Sequence, residues 1–409
     1  MNMTDFHATA LDNGLKIIQE DSPTDTVYCG LFVDAGTRDE DEADLGLAHF
    51  CEHTTFKGTT HRRAWHIRNG LERVGGDLNA YTNKEETVYY ASVLREDFDK
   101  AADLLFDIVF HSVYPEAELQ RESQVIIDEI DSYNDSPAEL IYDEFEEMLF
   151  RGHGLGRNIL GKASRLAEYH TADALRFTSK YYRPANVTLF VYGKVKFDHI
   201  VRLARKLTAG LTDAPAQKVK LPLPAYKAED RTCDHSTHQA HVLIGNRGYS
   251  AADPRRTALF LLNNILGGPG MNSLLNEQIR EKRGLVYTVE STAFSYSDTG
   301  LWSVYFGCDA KDTQRCHKLV TACLDRLCQA PLSDAKLRAA KKQLMGQIRI
   351  AGDNLESYAL ALGKTYARTG KHRDVDLICD RIASVLAQDL LQVAQDIFDP
   401  RQLSSLVYL

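Results

Sequence analysis

Two stretches of this chain share one order of elements, and that repeat constrains the fold more than any other feature. Glu86 to Val109 reads as a strand, an aspartate-bearing turn and an apolar helix, and Gly300 to Leu327 reads the same way. Pro115 opens the helix after the first copy, and Pro331 stands in the equivalent place after the second. The offset is a little over half the chain, which predicts two copies of one α+β domain. A length of 409 residues, too long for one typical core, agrees. Thr212 to Asp230, with Pro215, Pro222 and Pro224, has linker composition. The expected division is a domain over 1–211, a linker over 212–230 and a homologous domain over 231–409. Each domain is expected to be an α/β sandwich, a mixed sheet packed with helices.

Within the first copy, Leu11-Asp12-Asn13-Gly14-Leu15 predicts a hairpin between strands at His7–Leu11 and Leu15–Gln19, because Asn-Gly accepts positive φ angles. Val27 to Ala35 reads as a buried strand. Asp77 to Leu94 reads as two strands with a polar turn, and Asp97 to Val109 as an apolar-faced helix. Pro115 opens a long helix with Glu116 and Glu118 in its first turn. Ser136-Pro137-Ala138-Glu139 predicts a capping box for the next helix.

Composition excludes some functions. A formal net charge of −9 argues against general nucleic-acid binding, which wants a basic face. No apolar run reaches the length of a membrane span. Met1 to His7 lacks the charged and apolar regions of a secretory signal, and the eight cysteines form no C-x-x-C or regular framework. Cys316, Cys323 and Cys328 fall on one amphipathic helix, as packed thiols do. A reducing compartment, the cytoplasm, is the expectation.

The chemistry concentrates at Leu45 to Gly58, where His49, Glu52 and His53 form H-x-x-E-H. Residues four apart share a helix face, so both imidazoles can reach one ion. Glu52 stands beside them as a carboxylate able to take a proton from water activated by zinc. The pattern is a zinc-peptidase signature in the inverted order. The second copy has no such motif. A zinc ion needs a third protein ligand, and the helix after Pro115 offers Glu122 and Glu129. These lie two turns apart on one face, about 10.5 Å along the axis, so both cannot bind one ion. One is a ligand and the other orients a neighbour; spacing leaves open which. Cys51, two residues from His49 and about 200° round the helix, is expected to pack inward.

With these residues in place, the chain resembles the zinc metallopeptidases typified by insulin-degrading enzyme, pitrilysin and the mitochondrial processing peptidase. The resemblance covers essentially the whole chain. It rests on H-x-x-E-H, on Glu129 found 76 residues after His53, and on Glu122 seven before it. It also rests on Gly75-Gly-Asp-Leu-Asn79-Ala80, on His153 to Gly161, and on Arg280-Glu-Lys-Arg-Gly-Leu-Val-Tyr287. The resemblance implies one zinc per chain held by His49, His53 and Glu129, with Glu52 as general base and Glu122 in support. It implies an edge strand at Asn79 and Ala80 that pairs with substrate, and Arg280 and Tyr287 as groups that bind substrate and steady the transition state. Two departures stand out: Cys51 replaces an apolar residue, and Pro269 interrupts a glycine run at Gly267–Gly270. A chain of this length is half of the clamshell formed by larger relatives, so a homodimer is expected, or a heterodimer with a paralogue. The expected function is zinc-dependent endopeptidase action on unstructured peptides. The alternative is a weakly active peptide-binding or structural subunit that needs a partner chain.

Overall fold

The computed structural model describes residues 6–212, 214–216, 218, 221–235 and 237–409. Of the expected linker, positions 213, 217, 219 and 220 therefore lie outside the described residues. The strands are β1 (Phe6–Ala10), β2 (Lys16–Glu20), β3 (Thr26–Val33), β4 (Asp77–Thr82), β5 (Thr87–Leu94) and β6 (Val187–Tyr192), then β7 (Asp230–Cys233), β8 (Ala240–Gly248), β9 (Val286–Ser295), β10 (Gly300–Cys308) and β11 (Ser404–Tyr408). The helices of the first half are α1 (Leu47–Thr55), α2 (Ala64–Glu72), α3 (Phe98–Phe110), α4 (Glu116–Asn134), α5 (Pro137–Leu149), α6 (Ala163–Leu166), α7 (Thr171–Tyr181) and α8 (Phe197–Leu207). The second half adds α9 (Arg256–Gly267), α10 (Thr313–Gln329), α11 (Asp334–Ala351), α12 (Leu355–Thr369), α13 (Val375–Ser384) and α14 (Ala387–Ile397).

The repeat is explicit in the sheets. The first runs β1-β2-β6-β3-β5-β4 and the second β7-β11-β8-β10-β9. Setting β1 aside, the two orders match strand for strand. In each, the parallel pair (β2 with β6, β7 with β11) is followed by antiparallel neighbours. Both sheets are mixed and both are packed with helices, as the repeat predicted.

Strand periodicity explains how both faces of each sheet are buried. Along β3, Val27, Cys29, Leu31 and Val33 join a core with α1, α3 and α7, while Phe32 points to the opposite face. There it meets Ile18, Val88 and Phe190, and Ala359 and Leu362 of α12. In the second sheet, Trp302, Val304 and Phe306 pack with α9, α10 and α14. The alternate Leu301 and Tyr305 pack with Ile141, Phe145 and Leu149 of α5.

Each sheet is thus covered on one face by a helix from the other half of the sequence. The compact units are accordingly discontinuous, unlike the contiguous division expected at 212–230. The first comprises Met1–Asp131, Arg157–Pro222 and Ala351–Arg373; the second comprises Ser132–Gly156, Leu223–Ile350 and Asp374–Leu409. Helix α12 approaches its sheet through Gly363, where a Cβ would stand 2.5 Å from the Phe190 ring. Charge fixes its far end: Arg368 donates to Asp34 and, at 2.8 Å, to Glu86, which also pairs with Lys364.

Two local expectations are corrected. In the first hairpin only Gly14 takes a positive φ, +85°, so the loop is a three-residue turn closed between Leu11 and Leu15. Ser136 makes no capping side-chain bond. The Glu139 amide instead donates to the Ser136 carbonyl at 2.9 Å, and Pro137 sets the first helical φ.

Candidate metal centre

One carboxylate of the segment before helix α1 acts directly on its N-terminus. Buried Glu40 accepts from the Gly46 and Ala48 amides at 3.1 and 2.8 Å, among the unpaired donors of the first turn. Burial pushes its pKa up to about 8, against these two bonds and the charge of Arg157. Arg157 donates to the Glu40 carbonyl. Gly46, at φ +85°, lies flat on Gly161, where a Cβ on either would come within 2.7 Å of the other's backbone. The segment Arg157 to Gly161 therefore seats the start of α1.

The inward face of α1 is packed by Leu47, Ala48, Phe50 and Cys51. Cys51 is fully buried, with its thiol directed at the Ala174 carbonyl and its pKa raised by burial. The other face presents His49 and His53, whose ring centroids are 4.5 Å apart. Helix α4 lies opposite. Oε2 of Glu129 stands 4.0 Å from His49 Nε2 and 3.7 Å from His53 Nε2, too far for hydrogen bonds. Ligand atoms of these three residues all fall within 4.8 Å of one another. An ion at their centre lies within about 2.8 Å of each, so small side-chain adjustments give the 2.0–2.2 Å bonds of zinc. The set fits a zinc ion.

Glu122 faces elsewhere. Its Oε1 lies 3.2 Å from His53 Nδ1, and its other oxygen pairs with Lys57. A carboxylate at Nδ1 holds the proton there and turns Nε2 outward as a lone pair. Burial raises the Glu122 pKa, but the bonds from His53 and Lys57 outweigh it and leave it lowered. For His53, burial acts downward and is outweighed by Glu122, Glu52 and Glu129, so its pKa is raised. Burial, with His53 adding to it, drives His49 down to about 3 and keeps it neutral.

Glu52 is buried beside the pair and accepts a 2.9 Å bond from the Thr82 hydroxyl on β4. Burial raises its pKa against the opposing effects of His53 and Thr82. Strand β4 is a sheet edge, paired among the described residues only with β5. Asn79 and Ala80 lie on it. Together with Glu52, His53, Phe56, Lys57 and Arg68 they line a cavity of about 370 Å³. The Asn79 amide donates to Asp77 at 2.6 Å.

His49, Glu52, His53, Asn79, Ala80, Glu122 and Glu129 thus all belong to the first unit. Arg280 and Tyr287 belong to the second. Arg280 is exposed on a π-helical turn over Asn276–Glu281, and Tyr287 is 65% exposed on β9, the counterpart of β4. Lys57 and Thr82 were missed from the sequence. Lys57 was within reach of reasoning, since it continues the four-residue spacing of His49 and His53. Thr82 had no such signal.

The family model for Insulinase (Peptidase family M16) matches residues 16–163, and that for the Peptidase M16 inactive domain matches residues 171–344. A Bacillus subtilis protein named "Uncharacterized zinc protease YmxG" is 33% identical, with 94% of each chain covered. An "Uncharacterized zinc protease" from Rickettsia felis is 32% identical over 98% of this chain and 97% of its own. Among solved structures, a protease from Helicobacter pylori superposes with a TM-score of 0.89 at 22% identity, covering 99% of both chains. A peptidase M16 inactive domain from Pseudomonas fluorescens gives 0.91 at 20% identity, covering 99% of this chain and 97% of its own. Those two likenesses establish the shared fold. On the sequence matches, the chain belongs to the insulinase family of peptidases, family M16.

Proposed function

We propose that the chain is a zinc-dependent endopeptidase acting on extended, unstructured peptides. The observation that carries this reading is the convergence of His49, His53 and Glu129 ligand atoms within 4.8 Å, with the Glu52 carboxylate buried beside them. Zinc held by those three residues supplies Lewis-acid polarisation of the scissile carbonyl and lowers the pKa of water. Glu52 takes the proton from the attacking water and delivers it to the leaving amine. Its raised pKa suits both transfers, and Thr82 steadies one oxygen while the carboxylate works. Glu122 keeps the His53 tautomer that leaves Nε2 unprotonated. The free edge of β4 pairs with substrate backbone, and Asn79 and Ala80 border the scissile bond.

This reading includes assembly of two copies, in which exposed Arg280 and Tyr287 contact substrate. A peptide bond packed inside a fold cannot be laid along the β4 edge, which favours unstructured peptides as the substrate class. The test is metal content and hydrolysis of an unstructured quenched peptide by wild type, His49→Ala and Glu52→Gln. The expected result is loss of one metal equivalent and of hydrolysis in His49→Ala. Glu52→Gln keeps the metal and loses on the order of 10²–10⁴ in kcat. Wild-type protein loaded with zinc and inactive on every unstructured peptide would overturn the reading.

A further inference from the structure

A second set of donors lies in the second unit and shares no residue with the site described above. Glu144, Cys233 and His235 each offer a ligand atom, and all three atoms fall within 4.8 Å of one another. We propose that these residues form a second metal site, for a borderline-soft divalent cation of the zinc class. The inference does not depend on the peptidase reading.

The local structure explains why the three meet. Cys233 ends β7 and His235 follows two residues later, and their ligand atoms meet within 4.8 Å of each other and of Glu144. Their backbones are anchored by the last residue of the chain. The Leu409 amide donates to the Cys233 carbonyl at 3.0 Å, and the His235 amide donates to Leu409 at 2.9 Å. Glu144 arrives from α5, three residues after buried Ile141 and one before buried Phe145, at the margin of the face that seats α5 on its sheet.

Tyr408 supplies the floor. It is fully buried, and its ring centroid lies 4.1 Å from that of His235. Its hydroxyl makes no well-formed hydrogen bond, and burial, with the neighbouring Glu144 carboxylate adding to it, raises its pKa. A buried hydroxyl beside a ligand carboxylate is placed to orient it once both are ordered by an ion. The free thiol of Cys233, rather than a disulfide, leaves sulfur available as a donor.

The donor chemistry selects the ion. Calcium and magnesium take oxygen ligands, whereas one thiolate, one imidazole and one carboxylate suit zinc. Three donors within 4.8 Å place an ion about 2.8 Å or less from each, so modest rotamer changes reach the 2.3 Å sulfur and 2.0–2.2 Å nitrogen and oxygen distances. Water completes a tetrahedron. A metal there joins α5 to the end of β7, segments distant in sequence.

The test uses the full chain, stripped with a chelator and titrated with Co²⁺, which reports thiolate ligation through a near-ultraviolet charge-transfer band. The site already described contains no cysteine ligand, so the band belongs to this one. The expected result is one Co²⁺ per chain that brings the band, over and above any Co²⁺ held at the site already described. Cys233→Ser should lose the band and one equivalent, and His235→Gln, which removes a ligand outright, should weaken that equivalent by at least the roughly 100-fold that loss of an outer-shell partner can cost. His49→Ala should keep the band while losing hydrolysis, and chelator should still lower its Tm, because the remaining ion stabilises the folded state. A single equivalent without the band in wild type, or a band that persists in Cys233→Ser, would overturn the proposal. His235→Gln serves as the independent variant should Cys233→Ser fail to fold.

Discussion

Replacing Glu122 with glutamine isolates what a carboxylate does for a ligand it does not share. In the native chain Glu122 Oε1 lies 3.2 Å from His53 Nδ1, and its second oxygen pairs with Lys57. Glutamine keeps a carbonyl that can accept from Nδ1 but removes the charge and turns an amide toward Lys57. Losses of this kind weaken metal binding about 10–100-fold, or about 1.4–2.8 kcal/mol. Proton competition acts in the other direction. Glu122 contributes to the raised pKa of His53, so a proton competes with metal there below that raised value. Without the carboxylate the His53 pKa falls, and the acid loss of zinc affinity moves to lower pH. The assay is zinc affinity by chelator competition across pH, on wild type and Glu122→Gln. Weaker binding at neutral pH with an acid-shifted profile is expected. Unchanged affinity and an unshifted profile would refute the orienting role, since a merely structural carboxylate would not move that profile.

Three further outcomes follow from the geometry. Thr82→Val removes the bond that lowers the Glu52 pKa, so the acid limb of kcat/KM should move to higher pH; an unshifted limb would separate Glu52 from the base role. Glu86 is buried, and Lys364 and Arg368 outweigh that burial to hold its pKa below the ordinary 4.5. Its stabilisation is therefore full above 4.5 and lost as pH falls through the folded value, so Glu86→Gln should flatten the acid limb of urea-unfolding stability. Gly363→Val forces branched carbon into the Phe190 ring, which a Cβ alone reaches at 2.5 Å, and should cost about 1–3 kcal/mol by urea midpoint.

Much of the site was legible because helical spacing carries it: 49, 52 and 53 share a turn, and 122 and 129 share a face. Spacing could not separate Glu122 from Glu129, because both point from one face of α4. Their separation comes from where α1 crosses, which sets Glu129 opposite both Nε2 atoms and Glu122 opposite Nδ1. The edge position of β4 came only with the family resemblance, whereas the strands of the first hairpin and of Asp77 to Leu94 could be read from local patterns and the repeat from a recurring order of elements. The placement of α5 and α12 could not. Periodicity shows that Ile141, Phe145 and Leu362 need covering, yet says nothing of which sheet covers them. Thr82 is an ordinary strand threonine until Glu52 lies under it.

The exchange of α5 and α12 also sets a schedule for the newborn chain. Phe32, Val88 and Phe190 are made first, but the Leu362 that buries them is made only after β7–β10 and α9–α11. Helix α5 is synthesised before any strand of the sheet it covers, and that sheet lacks β11 until Ser404–Tyr408 leave the ribosome. At about 5–20 residues per second, 409 residues take roughly 20–80 s, and for most of that time apolar faces of both units stand open. Such a nascent chain is a natural client for chaperones. Cutting the gene near its midpoint would give two fragments that each expose one face, soluble only when made together.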